Sequence, residues 1–347
     1  MSKRVEWIDA ARSLAIVCVM LCHASETVFG YDTTGVPAFA VLRSIGRLGV
    51  PLFLCITGAL ILAKDFTDTK SIGLFYKKNL LPLLVTSEIW ILIYSLFIMI
   101  TGEYMPTDGI SGTSLIEWML FLKPFPLSHW WYIPTIIGLY VALPFVSLVL
   151  HHVNCTKVIL IPIAVVFIYR YFAPALNDTA IRFNLPYSFS SQIDTTWLGG
   201  VYGLYTVIGY YIARKKVLSS LPSFVILLLF TASFALSVWS EYFNVESWYD
   251  TPWILFASIC LFESLKRAGD RGCFTAISKP LEKISRNSFG IYLLHKPMII
   301  SVANCFFFIH SSTLKACVVA LVIFALSLLI VSAFSRWQKL QRILFHA

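Results

Sequence analysis

The sequence predicts an all-α polytopic membrane bundle of about ten transmembrane helices with both termini in the cytoplasm. Three observations lead there. Apolar runs close to the ~20 residues needed to span a bilayer recur along the whole chain. Of its 347 residues 58% are hydrophobic and only 13% charged, with a mean hydropathy of +0.77, well outside soluble composition. The basic residues stand in short clusters between the apolar runs rather than on one face of a domain. A formal net charge of +9 would otherwise suggest nucleic acid, but this placement suits membrane topology, so lipid and not nucleic acid is the expected surrounding.

Each run is bounded by charge, Gly or Pro. The first, 13–29, follows Arg12 and stops at Gly30; the second, 48–63, opens at Arg47 and stops at Lys64; the third, 79–100, lies between Lys78 and Gly102. The fourth, 130–149, follows His129, the fifth, 158–173, lies between Lys157 and Pro174, and the sixth, 197–213, ends at Arg214. The seventh, 222–240, begins at Pro222, the eighth, 252–265, lies between Pro252 and Lys266, the ninth, 287–308, follows Arg286, and the tenth, 314–334, ends before Arg336. The second and eighth are short for a full crossing and call for tilt or burial against neighbours.

The start Met-Ser-Lys-Arg resembles that of a signal peptide, but no small-residue cleavage site follows, so the first run is read as a retained helix. With the N-terminus inside, most of the 27 Lys and Arg fall on the cytoplasmic side: Lys3, Arg4 and Arg12; Lys64, Lys70, Lys77 and Lys78; Lys157; Arg214 to Lys216; the basic loop 266–286; and Arg336, Lys339 and Arg342. Arg43, Arg47, Lys123, Arg170, Arg182 and Lys315 fall outside, and Lys296 lies within a helix. Neither an appended soluble domain nor an internal repeat is visible, and one membrane domain over 1–347 is expected.

The outer loops 101–129, 174–196 and 241–251 are rich in Trp, Tyr, Ser, Thr, Asn and Asp, which suits sugar stacking and equally suits a membrane interface. The eight cysteines are scattered without CxxC or zinc spacing, and Cys18 and Cys22, one turn apart, are read as helix packing. No metal site is expected.

The first helix carries the strongest chemical signal. Asp9 is a suitable N-cap that places Arg12 in the first turn. His23 lies eleven positions after Arg12, ~16 Å of helix with an angular offset of about 20°, so both side chains face the same way. An ionisable group deep in a transmembrane helix is costly and points inward, and an imidazole there can take a proton from a hydroxyl and return one to a thiolate. His23 is therefore the expected catalytic residue. Glu26, one turn on, could orient its ring or simply reach the outer interface.

Other stretches admit two readings each. Arg47 could hold an acceptor or anchor its helix to headgroups, while Gly49 and Gly58 permit close helix approach and Pro51 is tolerated in a first turn. Lys77 and Lys78 could attract the phosphates of an acyl donor or only report the positive-inside bias. His129 and Trp131, in Ser128-His-Trp-Trp-Tyr132, could bind substrate or face solvent. His295 is expected inside the bundle near His23, and Glu88 raises the same question with less support.

Together these stretches resemble the integral-membrane acyltransferase-3 family, in its stand-alone branch that includes the enterobacterial common-antigen O-acetyltransferase. The resemblance rests on Asp9 with the Arg12 to His23 spacing, on Arg47-x-Gly-Val-Pro-Leu-Phe53 running to Gly58, on the His129 cluster followed by Tyr140 and Pro144, and on Ser288-Phe-Gly-Ile-Tyr-Leu-Leu-His295. It implies ten helices, an acetyl-CoA or other acyl-CoA donor, an extracytoplasmic glycan or lipid-linked saccharide acceptor, catalysis by His23 with Arg12 as essential partner, and the inner membrane of a bacterium. Where family members often carry arginines after the second helix, this chain has Lys77 and Lys78, which lack the bidentate fork of arginine. The rival expectation is a transporter or flippase of a lipid-linked or small solute, which midplane ionisable groups would also serve.

Overall fold

The computed structural model describes residues 5–30, 33–107, 109–152, 160–186, 200–245 and 248–345. Lys3, Arg4, Cys155, Lys157 and stretch 187–196 of the second outer loop lie outside the described residues. Among those described, every regular element is helical. In chain order they are α1 (Glu6–Phe29), α2 (Pro37–Arg47) running on into α3 (Gly49–Ile61), α4 (Thr69–Phe75), a π-helical turn (Tyr76–Leu80) and α5 (Leu81–Thr101). Next come α6 (Gly112–Met119), a 3₁₀ turn (Ser128–Trp131) leading into α7 (Tyr132–His152), α8 (Leu160–Val166), a π-helical turn (Phe167–Phe172) and α9 (Ala173–Arg182). The rest are α10 (Gly200–Tyr210), α11 (Ser223–Tyr242), α12 (Pro252–Asp270), α13 (Ser278–Val302), α14 (Ser312–Ala333) and α15 (Gln338–Phe345). Seven helical stretches among the described residues are long and apolar enough to cross a membrane. The outward surface, with Leu96, Ile100, Leu228 and Leu321 exposed, is one that lipid rather than water would cover.

Three sequence expectations need correcting. Asp9 is not the N-cap: Val5 holds the extended cap conformation, and Asp9 sits with Glu6 in the first turn, where the helix N-terminus favours carboxylates. The chain before residue 48 is not a loop, because Pro37 starts a helix whose polar side chains point inward. Arg43, Ser44 and Arg47 interrupt the apolar pattern, which is why the run looked shorter, and Arg47 is buried rather than at the headgroups. Similarly, α11 extends through Glu241, so the third outer loop is shorter than expected.

α1 lies at the centre, packed against α2, α3, α12, α13 and α14. Glycine sets the closest approaches. A Cβ on Gly46 would stand 2.5 Å from the Cβ of Cys22, and one on Gly49 would stand 2.7 Å from the Ala15 carbonyl oxygen, so α2 and α3 press against α1 beside His23. Gly58 of α3 and Gly209 of α10 are reciprocal: a Cβ on either would collide with the partner helix's backbone, at Thr206 and Cys55 respectively. The amphipathic α15 folds back onto the bundle, its last carbonyls accepting from Thr86 Oγ1 (2.8 Å, Ile343) and Trp90 Nε1 (2.6 Å, Leu344).

Candidate active site

His23 projects from the middle of α1, and its Nδ1 lies 3.0 Å from Oε2 of Glu26. A carboxylate only accepts, so Nδ1 carries the proton and the Nε2 lone pair is left for chemistry. Glu26 is buried and orients the ring; it does not reach an interface. Arg43 joins Glu26 to Glu241 of α11, with Nε 3.7 Å from Glu26 Oε1 and an Nη 3.2 Å from Glu241 Oε2. The Nε of Arg47 lies 3.7 Å from the other oxygen of Glu241, and its guanidinium stacks 4.0 Å from the Trp248 ring. Two cations and two carboxylates thus balance within the bundle, which is how such charges are tolerated there.

These groups border a cavity of about 260 Å³ whose further lining includes His129, Trp131, Tyr249 and Tyr292. Trp131 leans on Tyr202 (5.3 Å between centroids), Tyr249 (5.5 Å) and Trp248 (5.8 Å), forming one aromatic wall. Burial pushes the Tyr249 phenol up from its ordinary value, partly opposed by the Arg47 guanidinium, so this wall presents a neutral hydroxyl.

Arg12 borders a second cavity, also about 260 Å³, with Thr57, Tyr140, Ser285, Arg286 and Ser288. Tyr132 and Tyr292 line both cavities, their rings meeting edge to face at 5.7 Å. Arg12 and His23 therefore serve two chambers that back onto one aromatic pair. Arg286, ion-paired with Glu282, also borders a larger and predominantly basic cleft of about 660 Å³ with Lys279, Lys283, Arg342 and Glu282 itself.

His129 and His295 complete the centre. Ring centroids lie 5.1 Å apart for His23 and His295, 5.1 Å for His129 and His295, and 6.2 Å for His23 and His129. Both are essentially fully buried, so His129 faces no solvent. Pro297 explains part of the arrangement. Lacking an N–H, it frees the Leu293 carbonyl four residues earlier, and the Tyr94 hydroxyl donates to that oxygen. His129 Nε2 lies 3.2 Å from the same hydroxyl, and Tyr292 donates to the His129 carbonyl at 2.6 Å. Among the described residues no three His, Cys, Asp or Glu side chains are arranged to hold a metal.

Of the residues singled out from sequence, His23, Glu26, Arg47, His129 and Trp131 share one cavity, His295 stands directly behind it, and Arg12 lines the adjoining chamber. Lys77 and Lys78 are exposed on the π-helical turn and border neither chamber. Glu88 also lies apart from both. Sequence reasoning missed Arg43, Glu241, Tyr94, Tyr132 and Tyr292. Only Glu241 carried a signal, an acid at the end of an apolar run, and it was read as loop.

Comparison with known proteins places the chain as a whole. A family model described as an acyltransferase domain, that of the acyltransferase-3 family, matches residues 5–336. No curated protein and no solved structure matches the chain. With the match running over nearly all of its length, the chain belongs to the acyltransferase-3 family of membrane acyltransferases.

Proposed function

We propose that this protein is an acyl-CoA-dependent O-acyltransferase that moves an acetyl or similar acyl group from the cytoplasm to a hydroxyl of an extracytoplasmic or lipid-linked glycan. The observation that carries the reading is the His23–Glu26 pair in a buried cavity, back to back with the Arg12 chamber. In this reading the chain crosses a bacterial inner membrane ten times with both termini inside, and the Arg12 chamber opens inward.

The donor enters from the basic cleft, where Lys279, Lys283, Arg286 and Arg342 complement its phosphates. Arg286, common to the cleft and the Arg12 chamber, marks the way in for a narrow pantetheine arm, and the thioester then meets His23 past Tyr132 and Tyr292. Lys77 and Lys78 lie off this route and report topology. The acceptor enters the His23 chamber, where Trp131 and Trp248 offer faces for a sugar ring. There His23, its Nδ1–H held by Glu26, presents Nε2 as base or nucleophile.

Radiolabelled acetyl transfer from acetyl-CoA to the glycan fraction of native membranes tests the assignment. His23→Ala and Arg12→Ala should each abolish transfer. Full transfer by His23→Ala would remove His23 from catalysis, and label movement independent of CoA would turn the reading toward transport.

A further inference from the structure

The hydrogen bonds around the three imidazoles fix the tautomer of each ring. His295 Nδ1 faces the Tyr292 carbonyl, which can only accept, so the His295 proton is on Nδ1 and Nε2 is a bare lone pair. The Tyr94 hydroxyl gives its one proton to the Leu293 carbonyl, so toward His129 it can only accept. His129 therefore carries its proton on Nε2, and its Nδ1 is bare. Both bare nitrogens, His295 Nε2 and His129 Nδ1, are buried and have no hydrogen-bond partner among the described residues. With Glu26 holding the Nδ1 proton of His23, all three rings turn their protons outward onto fixed acceptors. Three lone pairs are gathered within one cluster.

Unpartnered buried acceptors are rare because each forfeits the hydrogen bond it had in water, and two beside a catalytic ring call for a donor. His129 borders the acceptor chamber, and His295 closes a triangle with it and His23, 5.1 Å from each by ring centroid. The fitting donor is the acceptor hydroxyl, and the step that needs such a base is the one in which His23 is occupied.

We propose that His129 and His295 form a second, proton-accepting site beside His23, so that transfer runs through an acyl-histidine with the two tasks on different rings. The inference rests on the acyltransferase reading above. In the first half-reaction His23 Nε2 bonds the acyl carbon, the C–S bond breaks, and the CoA thiolate leaves with the electron pair and takes a proton from water on its own side. The acylated His23 is an imidazolium whose Nδ1–H rests on Glu26, with no lone pair left to act as a base. In the second half-reaction the acceptor oxygen bonds the acyl carbon, the C–Nε2 electron pair returns to His23, and the hydroxyl proton passes to His129 Nδ1 and on to His295 Nε2. That proton is then released to the acceptor side, which returns the enzyme to its starting state and leaves CoA as the thiol.

The half-reactions can be measured separately. Exchange of tritiated CoA into acetyl-CoA requires only acylation of His23; delivery of labelled acetyl to the glycan fraction of native membranes requires both steps. His129→Gln keeps a donor toward Tyr94 and His295→Asn keeps one toward the Tyr292 carbonyl, and both remove the basic nitrogen. Each variant of the full-length protein should lose delivery about 100-fold or more, and at least about tenfold more than it loses exchange. Equal loss of both activities, retention of both, or wild-type protein that delivers acetyl without catalysing exchange would overturn the proposal. His23→Ala separates this from the parent reading, since it should lose exchange and delivery alike, and its retention of both would defeat the parent reading instead.

Discussion

Oε2 of Glu26 lies 3.0 Å from Nδ1 of His23, one turn along the same helix, so α1 carries both the reactive imidazole and the group that fixes its tautomer. Glu26→Ala should lower the turnover rate by about 10²–10⁴-fold with little change in KM for the donor, because Glu26 borders the His23 chamber and not the Arg12 chamber. Initial rates across a range of acetyl-CoA concentrations check this. A rise in donor KM at unchanged turnover would count against it.

The Arg43–Arg47–Glu26–Glu241 cluster is balanced, so removing one member strands a partner. Arg47→Ala should destabilise the protein by about 3–5 kcal/mol by leaving Glu241 short of a cation, while Arg47→Met combined with Glu241→Met should recover much of the loss. Thermal unfolding of the detergent-purified single and double variants provides the comparison.

Pro297 offers a test at one remove from the site. Pro297→Ala supplies the missing N–H, which competes with Tyr94 for the Leu293 carbonyl and frees the Tyr94 hydroxyl to donate to His129 instead. Thermal stability should hold or rise while acyl delivery falls. A parallel drop in both would mean that Pro297 serves only packing.

The Gly58–Gly209 contact should tolerate no side chain. Gly58→Ala must push α3 from α10 and should markedly lower the melting temperature, whereas Gly138→Ala, whose Cβ meets nothing, should leave it unchanged or slightly raised. The pair of variants separates steric from propensity effects.

Asp250, in the loop between α11 and α12, supplies a pH signature. Burial raises its carboxyl above the ordinary value, with Arg170 at 3.5 Å opposing only in part. An acid whose folded value is raised favours the fold while protonated, and that contribution is lost as pH rises through the raised value. Asp250→Asn should therefore gain in melting temperature relative to wild type as pH rises from about 4 through the raised value, hold that gain above it, and show none at lower pH.

Much of the site was readable in one helix. The Arg12 to His23 register follows from helical geometry alone, and burial cost turns His295 inward, whereas for His129 the sequence leaves a buried and a solvent-facing position equally open. The Arg43–Glu241 link was not readable, because it joins residues far apart in the chain and because polar side chains facing a partner helix look, in sequence, like the start of a loop. The Tyr132–Tyr292 pair was equally hidden: each tyrosine fits an ordinary interfacial role until the fold sets the two rings edge to face. The amphipathic α15 gave too short an apolar run to register.

That aromatic pair bears on bioenergetics. A bore open from one aqueous phase to the other would let ions run down the membrane voltage, which is worth ~2.3 kcal/mol per unit charge at 100 mV. Two cavities that meet at a pair of tyrosine rings, in place of one wide bore, would keep the bilayer an insulator whenever no donor arm lies between those rings. Cells making this protein in quantity should therefore keep their resting potential, and a small residue in place of either tyrosine would be expected to make it leak.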